Sequence, residues 1–302
     1  MSLYHPKLAP DYKQIADILV FGKTAIPSNS FVPALLPLPA LAGATRSYGS
    51  MVLWRDRFLF ILQGDNATGF WCYDIEKGEL RTLTSAPAAI WYGSLVGVHA
   101  DRYLYTCRGG GTTAFYRYDI WGNCWASVAS IPVEIHANGG GAVYDGERYV
   151  YLLRGTETTG FYRYDCVNNT WETMASTPNA TDRPSNLVRV GNFLYVLRGS
   201  YTGDFYRYDI AANTWTSMAT SPQSTYAGAL VWDGEDYIYA LRGYVSGAFW
   251  RYRISTNTWV GLSGVPAGTE VGGLCYYRSP AIGDIIFVRQ GYGTSNWWIY
   301  KV

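Results

Sequence analysis

Short apolar runs of four to six residues recur along most of the chain, each cut off by a cluster of turn residues. The pattern is plainest in residues 186–222. An apolar segment around Asn186–Val190 is followed by FLYVL (Phe193–Leu197), then FYRYDI (Phe205–Ile210), then a segment opening at Thr214–Trp215. The interruptions read GN, GSYTGD and AAN. Aromatic and β-branched runs between such breaks predict short β-strands, four to a unit, and helix periodicity is missing from these units.

The unit repeats. Gly64, Gly109, Gly155, Gly199, Gly243 and Gly291 each end an apolar run, at spacings of 45, 46, 44, 44 and 48 residues. Six residues after each glycine stands an aromatic (Phe70, Phe115, Phe161, Phe205, Phe249, Trp297). Three further on is a tyrosine (Tyr73, Tyr118, Tyr164, Tyr208, Tyr252, Tyr300). Trp125, Trp171, Trp215 and Trp259 follow seven residues later, with Leu80 in that place in the first copy. Pro87, Pro132, Pro178, Pro222 and Pro266 lie another seven on. Four strands in 44–48 residues is the size of a propeller blade. The sequence therefore predicts an all-β, six-bladed β-propeller of four-stranded blades. The sixth copy stops after its third strand, WWIYKV, which would leave an open sheet edge. FVPALLPLP (Phe31–Pro39) has the form of a fourth strand and its proline, so an N-terminal strand is expected to complete blade six and close the ring. The domain reading is an arm over 1–30 and a propeller over 31–302.

YDIAANTWTSMATSP (Tyr208–Pro222), YDCVNNTWETMASTP and YDIWGNCWASVASIP resemble the second half of the kelch repeat: Tyr-Asp, a tryptophan about seven residues on, then a proline. The resemblance runs from Phe31 to Val302. It departs where the family has the first glycine of a pair: this chain has Arg108, Arg154, Arg198 and Arg242, with Gln63 and Gln290 in the outer copies. The resemblance implies a divergent kelch-like propeller. Such propellers serve as scaffolds and as enzymes, including six-bladed sugar mutarotases, so the fold alone assigns neither role.

Charge narrows the field. There are 24 basic and 23 acidic residues, a net +1, which gives no basic surplus for nucleic acid or an anionic membrane. No run reaches the length of a membrane span, and no signal peptide is evident. Five cysteines without a CxxC pair argue against a disulfide framework or a structural zinc. No cofactor or metal is expected. His99 and His136 lie in adjacent copies, but the His, Tyr and Cys set of a kelch-borne copper oxidase is not readable.

Nineteen of the basic residues are arginines, and eight sit at repeated positions: Arg108, Arg154, Arg198 and Arg242, then Arg117, Arg163, Arg207 and Arg251. Catalysis seldom needs one residue in four equivalent places, whereas a repeated interface does. The expectation is structural pairing of these arginines, Arg108, Arg154, Arg198 and Arg242 among them, with Asp74, Asp119, Asp165 and Asp209 or with carbonyls, the alternative being a ring of cations lining a channel or ligand pocket. No residue is assigned to catalysis. Candidate partner-binding residues lie elsewhere. Tyr201, Tyr244 and Tyr292 occupy the short loops after the repeated glycines, where a protein or glycan could be met, with Glu157 and Asp204 as isolated charges. Tyr12, Ile15, Ile18 and Leu19 fall at helical spacing in the arm, before Gly22, and suit docking onto a protein subunit. The resulting expectation is a non-catalytic structural or binding subunit of a larger assembly. Its most concrete form is a phage tail or head-surface protein in the virion, or otherwise a cytoplasmic one. The alternatives are a carbohydrate-active enzyme of the mutarotase kind and a kelch-type adaptor.

Overall fold

The computed structural model describes residues 27–33, 51–64, 66–91, 95–135, 141–181, 187–226, 228–243, 246–266, 273–279, 283–289 and 297–302. These residues form twenty-four strands in six antiparallel four-stranded sheets, with no helix among them.

Blade 1 is β2 (Met51–Trp54), β3 (Phe58–Leu62), β4 (Phe70–Asp74) and β5 (Glu79–Thr82). Blade 2 is β6 (Leu95–His99), β7 (Tyr103–Cys107), β8 (Phe115–Asp119) and β9 (Cys124–Ser127). Blade 3 is β10 (Ala142–Tyr144), β11 (Tyr149–Leu153), β12 (Phe161–Asp165) and β13 (Thr170–Thr173). Blade 4 is β14 (Leu187–Val190), β15 (Phe193–Leu197), β16 (Phe205–Asp209) and β17 (Thr214–Ser217). Blade 5 is β18 (Ala229–Trp232), β19 (Tyr237–Gly243), β20 (Ser246–Arg253) and β21 (Thr258–Gly261). Blade 6 is β22 (Leu274–Ser279), β23 (Gly283–Arg289) and β24 (Trp297–Lys301), completed by β1 (Ser30–Pro33). The first strand of each blade neighbours the first strands of the blades on either side, all the way round, so the ring is closed and these strands line its axis.

Closure occurs as the truncated last repeat requires. β1 runs antiparallel to β24, with Phe31 opposite Tyr300. The chain is hooked one residue earlier, where Asn29 N–H donates to the Lys301 carbonyl at 2.8 Å. The closing strand thus begins at Ser30, inside the span read as arm, and residues 34–39 of the expected strand lie outside the described residues.

The core is six cores, one per seam between blades. Alternate residues of a strand face opposite sides, so Tyr151 and Leu153 pack toward blade 4 while Val150 and Leu152 pack toward blade 2. Each fully buried Leu or Phe contributes about 1.5–3 kcal/mol. This explains why the repeat is so aromatic: large rings fill the wedge between diverging sheets. Phe161 meets Tyr208 edge-on at 4.9 Å and Trp215 at 5.1 Å. Phe115 and Phe205 do the same with Tyr164 and Trp171, and with Tyr252 and Trp259.

Polar contacts recur at three levels, the first two across the seams and the third within a blade. At the rim, Asn213 Oδ1 accepts from the Tyr208 hydroxyl at 2.8 Å and from Ala175 N–H of the preceding blade at 2.9 Å. Trp215 Nε1 donates to the Ala175 carbonyl at 2.9 Å. The set recurs as Tyr118–Asn123–Trp125 on Thr84, Tyr164–Asn169–Trp171 on Ala129 and Tyr252–Asn257–Trp259 on Ala219. All four asparagines have φ between 47° and 57°, a conformation Asn tolerates better than most residues. Near the repeated glycines, Arg198 Nε donates to the Ala180 carbonyl at 2.7 Å and Arg242 Nε to the Ser224 carbonyl at 2.9 Å. Arg108 and Arg154 reach Ala89 and Glu134 in the same way. Each of these carbonyls belongs to the connection arriving from the preceding blade. The next residue of that connection is bridged to its own blade's hairpin, at Ala67–Ile90, Thr112–Ile135, Thr158–Thr181 and Thr202–Thr225.

The third level corrects the expected partners of the aspartates. Asp119 and Asp165 pair not with Arg108 and Arg154 but with Arg102 and Arg148, and Asp74 with Arg57. Register decides this. Asp165 lies opposite Tyr149, beside Arg148, whereas Arg154 follows the far end of β11, roughly 15 Å away along the strand. In blade 4 Asn192 stands in the arginine's place, and Asp209 caps its turn by accepting from Ala211 and Ala212 N–H. In blade 5 the pair is reversed, with Arg253 on Asp236 at 2.8 Å.

Candidate binding surfaces

The hairpins after the repeated glycines, together with the inter-blade connections, make one face of the disc. Gly199, Ser200 and Tyr201 are all left-handed (φ 73°, 54° and 57°), as are Gly155, Thr156 and Glu157. Holding a tyrosine at such a φ costs about 1–2 kcal/mol. It projects the Tyr201 ring outward, 56% exposed, where it stacks on the buried Tyr226 ring at 4.4 Å. Beneath it the charges are engaged. Asp204 Oδ2 accepts from Arg198 at 2.8 Å and from the Tyr206 hydroxyl at 3.2 Å, and Asn179 donates to that hydroxyl at 2.9 Å. Asp204 is therefore not the isolated charge the sequence implied, while Glu157 is exposed. Tyr244 and Tyr292 lie outside the described residues, as do Tyr12, Ile15, Ile18 and Leu19.

The second arginine series packs against rings of its own blades. The guanidinium carbons of Arg117, Arg163, Arg207 and Arg251 lie over the rings of Tyr103, Tyr149, Phe193 and Tyr237 of the neighbouring strand, 4.3–4.7 Å from the ring centres. Arg163 also pairs with Glu172. His99 is half-buried among Tyr103, Tyr105 and Tyr144, and burial lowers its pKa. His136 lies outside the described residues. Among the described residues no three His, Cys, Asp or Glu side chains cluster as metal ligands would.

The opposite face, made by the first and third turns of each blade, carries features that break the repeat. A cavity of about 440 Å³ opens there along the first strands of blades 5, 6 and 1. Met51, Val231, Leu274, Trp232 and Tyr276 supply its apolar walls, and Asp56, Asp233 and Arg278 its charges. Asp233 is 7% exposed, and burial raises its pKa above the ordinary carboxylate value. Its Oδ1 caps the turn, accepting from Glu235 N–H at 2.7 Å and Tyr237 N–H at 3.2 Å. Arg278 is drawn off by the Asp233 carbonyl at 3.2 Å, Glu235 at 3.4 Å and Asp284 at 3.8 Å. Cys275, in the wall, is pushed up to about 12 by burial and is not a thiolate at neutral pH. The turn that holds Asp56 also holds Arg55, which pairs with Asp101 and stacks on Trp54 at 4.7 Å and Trp121 at 5.6 Å. Trp54 Nε1 donates to Asp101 at 2.5 Å. Trp121 is 43% exposed.

Sequence reasoning did not single out these residues. Trp121 and Trp232 were passed over because attention went to the repeated tryptophans Trp125, Trp171, Trp215 and Trp259. The signal available was that neither belongs to the repeated tryptophan series.

Fold and surfaces together define a six-bladed β-propeller in which the described repeated charges contact the protein's own carbonyls, carboxylates and rings, some across the seams and some within a blade. No protein-family model matches the chain, and no curated protein matches it.

Proposed function

We propose that this propeller is a non-catalytic binding or structural subunit of a larger assembly. The observation that carries the reading is the engagement of the repeated polar residues. The arginines, aspartates, asparagines and tryptophans that recur in register bind carbonyls, carboxylates and rings within a blade or across the seams. The result is a rigid disc whose two faces differ in the few residues that escape the repeat. Tyr201 on one face, and Trp121 with the channel-mouth cavity on the other, are the anchors such a disc would offer, aromatic residues being the commonest interface anchors. The most concrete setting is a virion tail or head surface, which rests on analogy between propeller folds alone.

The arm is the second attachment. The described closure contacts begin at Asn29. A chain lacking 1–26 keeps the hook and β1, and is expected to fold and to be lost from the assembly. Circular dichroism with cosedimentation of native particles reads both. Normal incorporation of the truncated chain would remove the arm from the proposal.

A further inference from the structure

The channel-mouth cavity deepens that reading, on which it rests. We infer that it receives a basic side chain, Lys or Arg, of a partner protein docked on the face that carries Trp121. Three observations converge. First, the acceptors there outnumber the donors. The Asp56 carboxylate makes no hydrogen bond or ion pair among the described residues, and Asp233 lines the cavity with only Oδ1 engaged. The one cation among the described lining residues, Arg278, is held by Glu235 and Asp284, so the described lining is acidic on balance. Charge complementarity then favours a cationic occupant. Second, the walls suit such a side chain along its length. Val231, Leu274 and Met51 match an alkyl stem, and the Trp232 and Tyr276 rings match an ammonium or guanidinium head. The cavity, about 440 Å³ and open, takes an inserted side chain more readily than it encloses a free metabolite. Third, the cavity is continuous with an anchor. Asp56 and Arg55 share one turn, and Arg55 leads to the exposed Trp121. An acidic socket beside an aromatic knob is the make-up of an interface centre.

The probe is N-acetyl-arginine amide, titrated calorimetrically into the full chain, with N-acetyl-citrulline amide as its neutral isostere. The expected result is millimolar binding of the arginine compound that weakens with added salt, and at least about tenfold weaker binding of citrulline. D56N and D233N, alone and together, should weaken arginine binding by about tenfold or more while the melting temperature holds. Asn keeps the oxygen that caps the turn at 233 and tolerates the left-handed φ of 46° at 56. Equal binding of the two compounds, or undiminished binding in the double variant, overturns the inference, as does binding of a neutral methyl hexoside in place of arginine. Incorporation of the D56N/D233N chain into native particles separates the two levels. If arginine is not bound and the variant still assembles, the socket is wrong and the subunit reading stands.

Discussion

Four of the six seams are built alike, and the seam between blades 6 and 1 is not. In the four, a Tyr–Asn–Trp set on one blade grips the backbone leaving the preceding blade. In blade 1 the corresponding residues are Tyr73, Gly78 and Leu80. Gly78 keeps the left-handed φ (67°) but has no side-chain oxygen to offer, and the Tyr73 hydroxyl is buried without a hydrogen-bond partner among the described residues. The same seam buries Arg289 at a position held by Leu62, Cys107, Leu153, Leu197 and Leu241 in the other blades. Arg289 is 1% exposed and, among the described residues, its guanidinium makes one long contact, Nη1 to the Leu62 carbonyl at 3.4 Å. Desolvation lowers its pKa to about 10, so it stays charged at neutral pH. The seam between blades 5 and 6 stands between the two kinds. Asn29 accepts from the Tyr300 hydroxyl at 3.1 Å, as the latch asparagines do, and Phe31 packs on Phe249 at 5.4 Å where the others have tryptophan. The lesson is that the repeat was kept where blades are contiguous in sequence and relaxed where the ring is sealed.

The comparison can be broken in order of size. Trp215→Ala removes a latch and its packing, and is expected to cost about 3–5 kcal/mol in urea unfolding, more than Leu80→Ala at the sealing seam. A cost for Leu80→Ala equal to that of Trp215→Ala would mean that the seams are equivalent. Arg289→Leu restores the repeat's own residue and removes a desolvated charge, and should raise stability by about 2 kcal/mol. A loss instead would show that the guanidinium holds the seam. Gly78→Asn with Leu80→Trp rebuilds the latch and gives the Tyr73 hydroxyl an acceptor, for a gain of about 1 kcal/mol read as a higher urea midpoint.

The smallest effect is on acid stability. The Arg148 guanidinium and the turn N–H groups of Asn168 and Val167 hold Asp165 well below the usual carboxylate range. A depressed folded pKa means a contribution that is full above the unfolded value, about 3.9, and lost as pH falls through the folded one. With Arg148 substantially exposed, that contribution is under about 1 kcal/mol. Asp165→Asn should flatten the acid limb by that amount and leave stability near pH 7 lower by the same amount. An unchanged acid limb would show that the pair adds nothing.

Much of the fold was legible because the repeat is periodic: blade number, strand identity, the aromatic wedge and the need for a closing strand all follow from spacing and from the cost of an open sheet edge. Asn123, Asn169, Asn213 and Asn257 stand five residues after each tyrosine but were not singled out, because their role depends on a residue of the preceding blade about 40 positions earlier, which no local pattern supplies. The sequence by itself determined a ring of six similar sheets, since each strand's alternation and each turn's glycine or asparagine acts over a few residues. Only the tertiary structure decided which charges meet. Strand register put Arg148, not Arg154, beside Asp165, and ring closure put Asp56, Asp233 and Arg278, from three different blades, around one cavity. Pairing and pocket formation depend on distances between blades, and those are set when the ring closes.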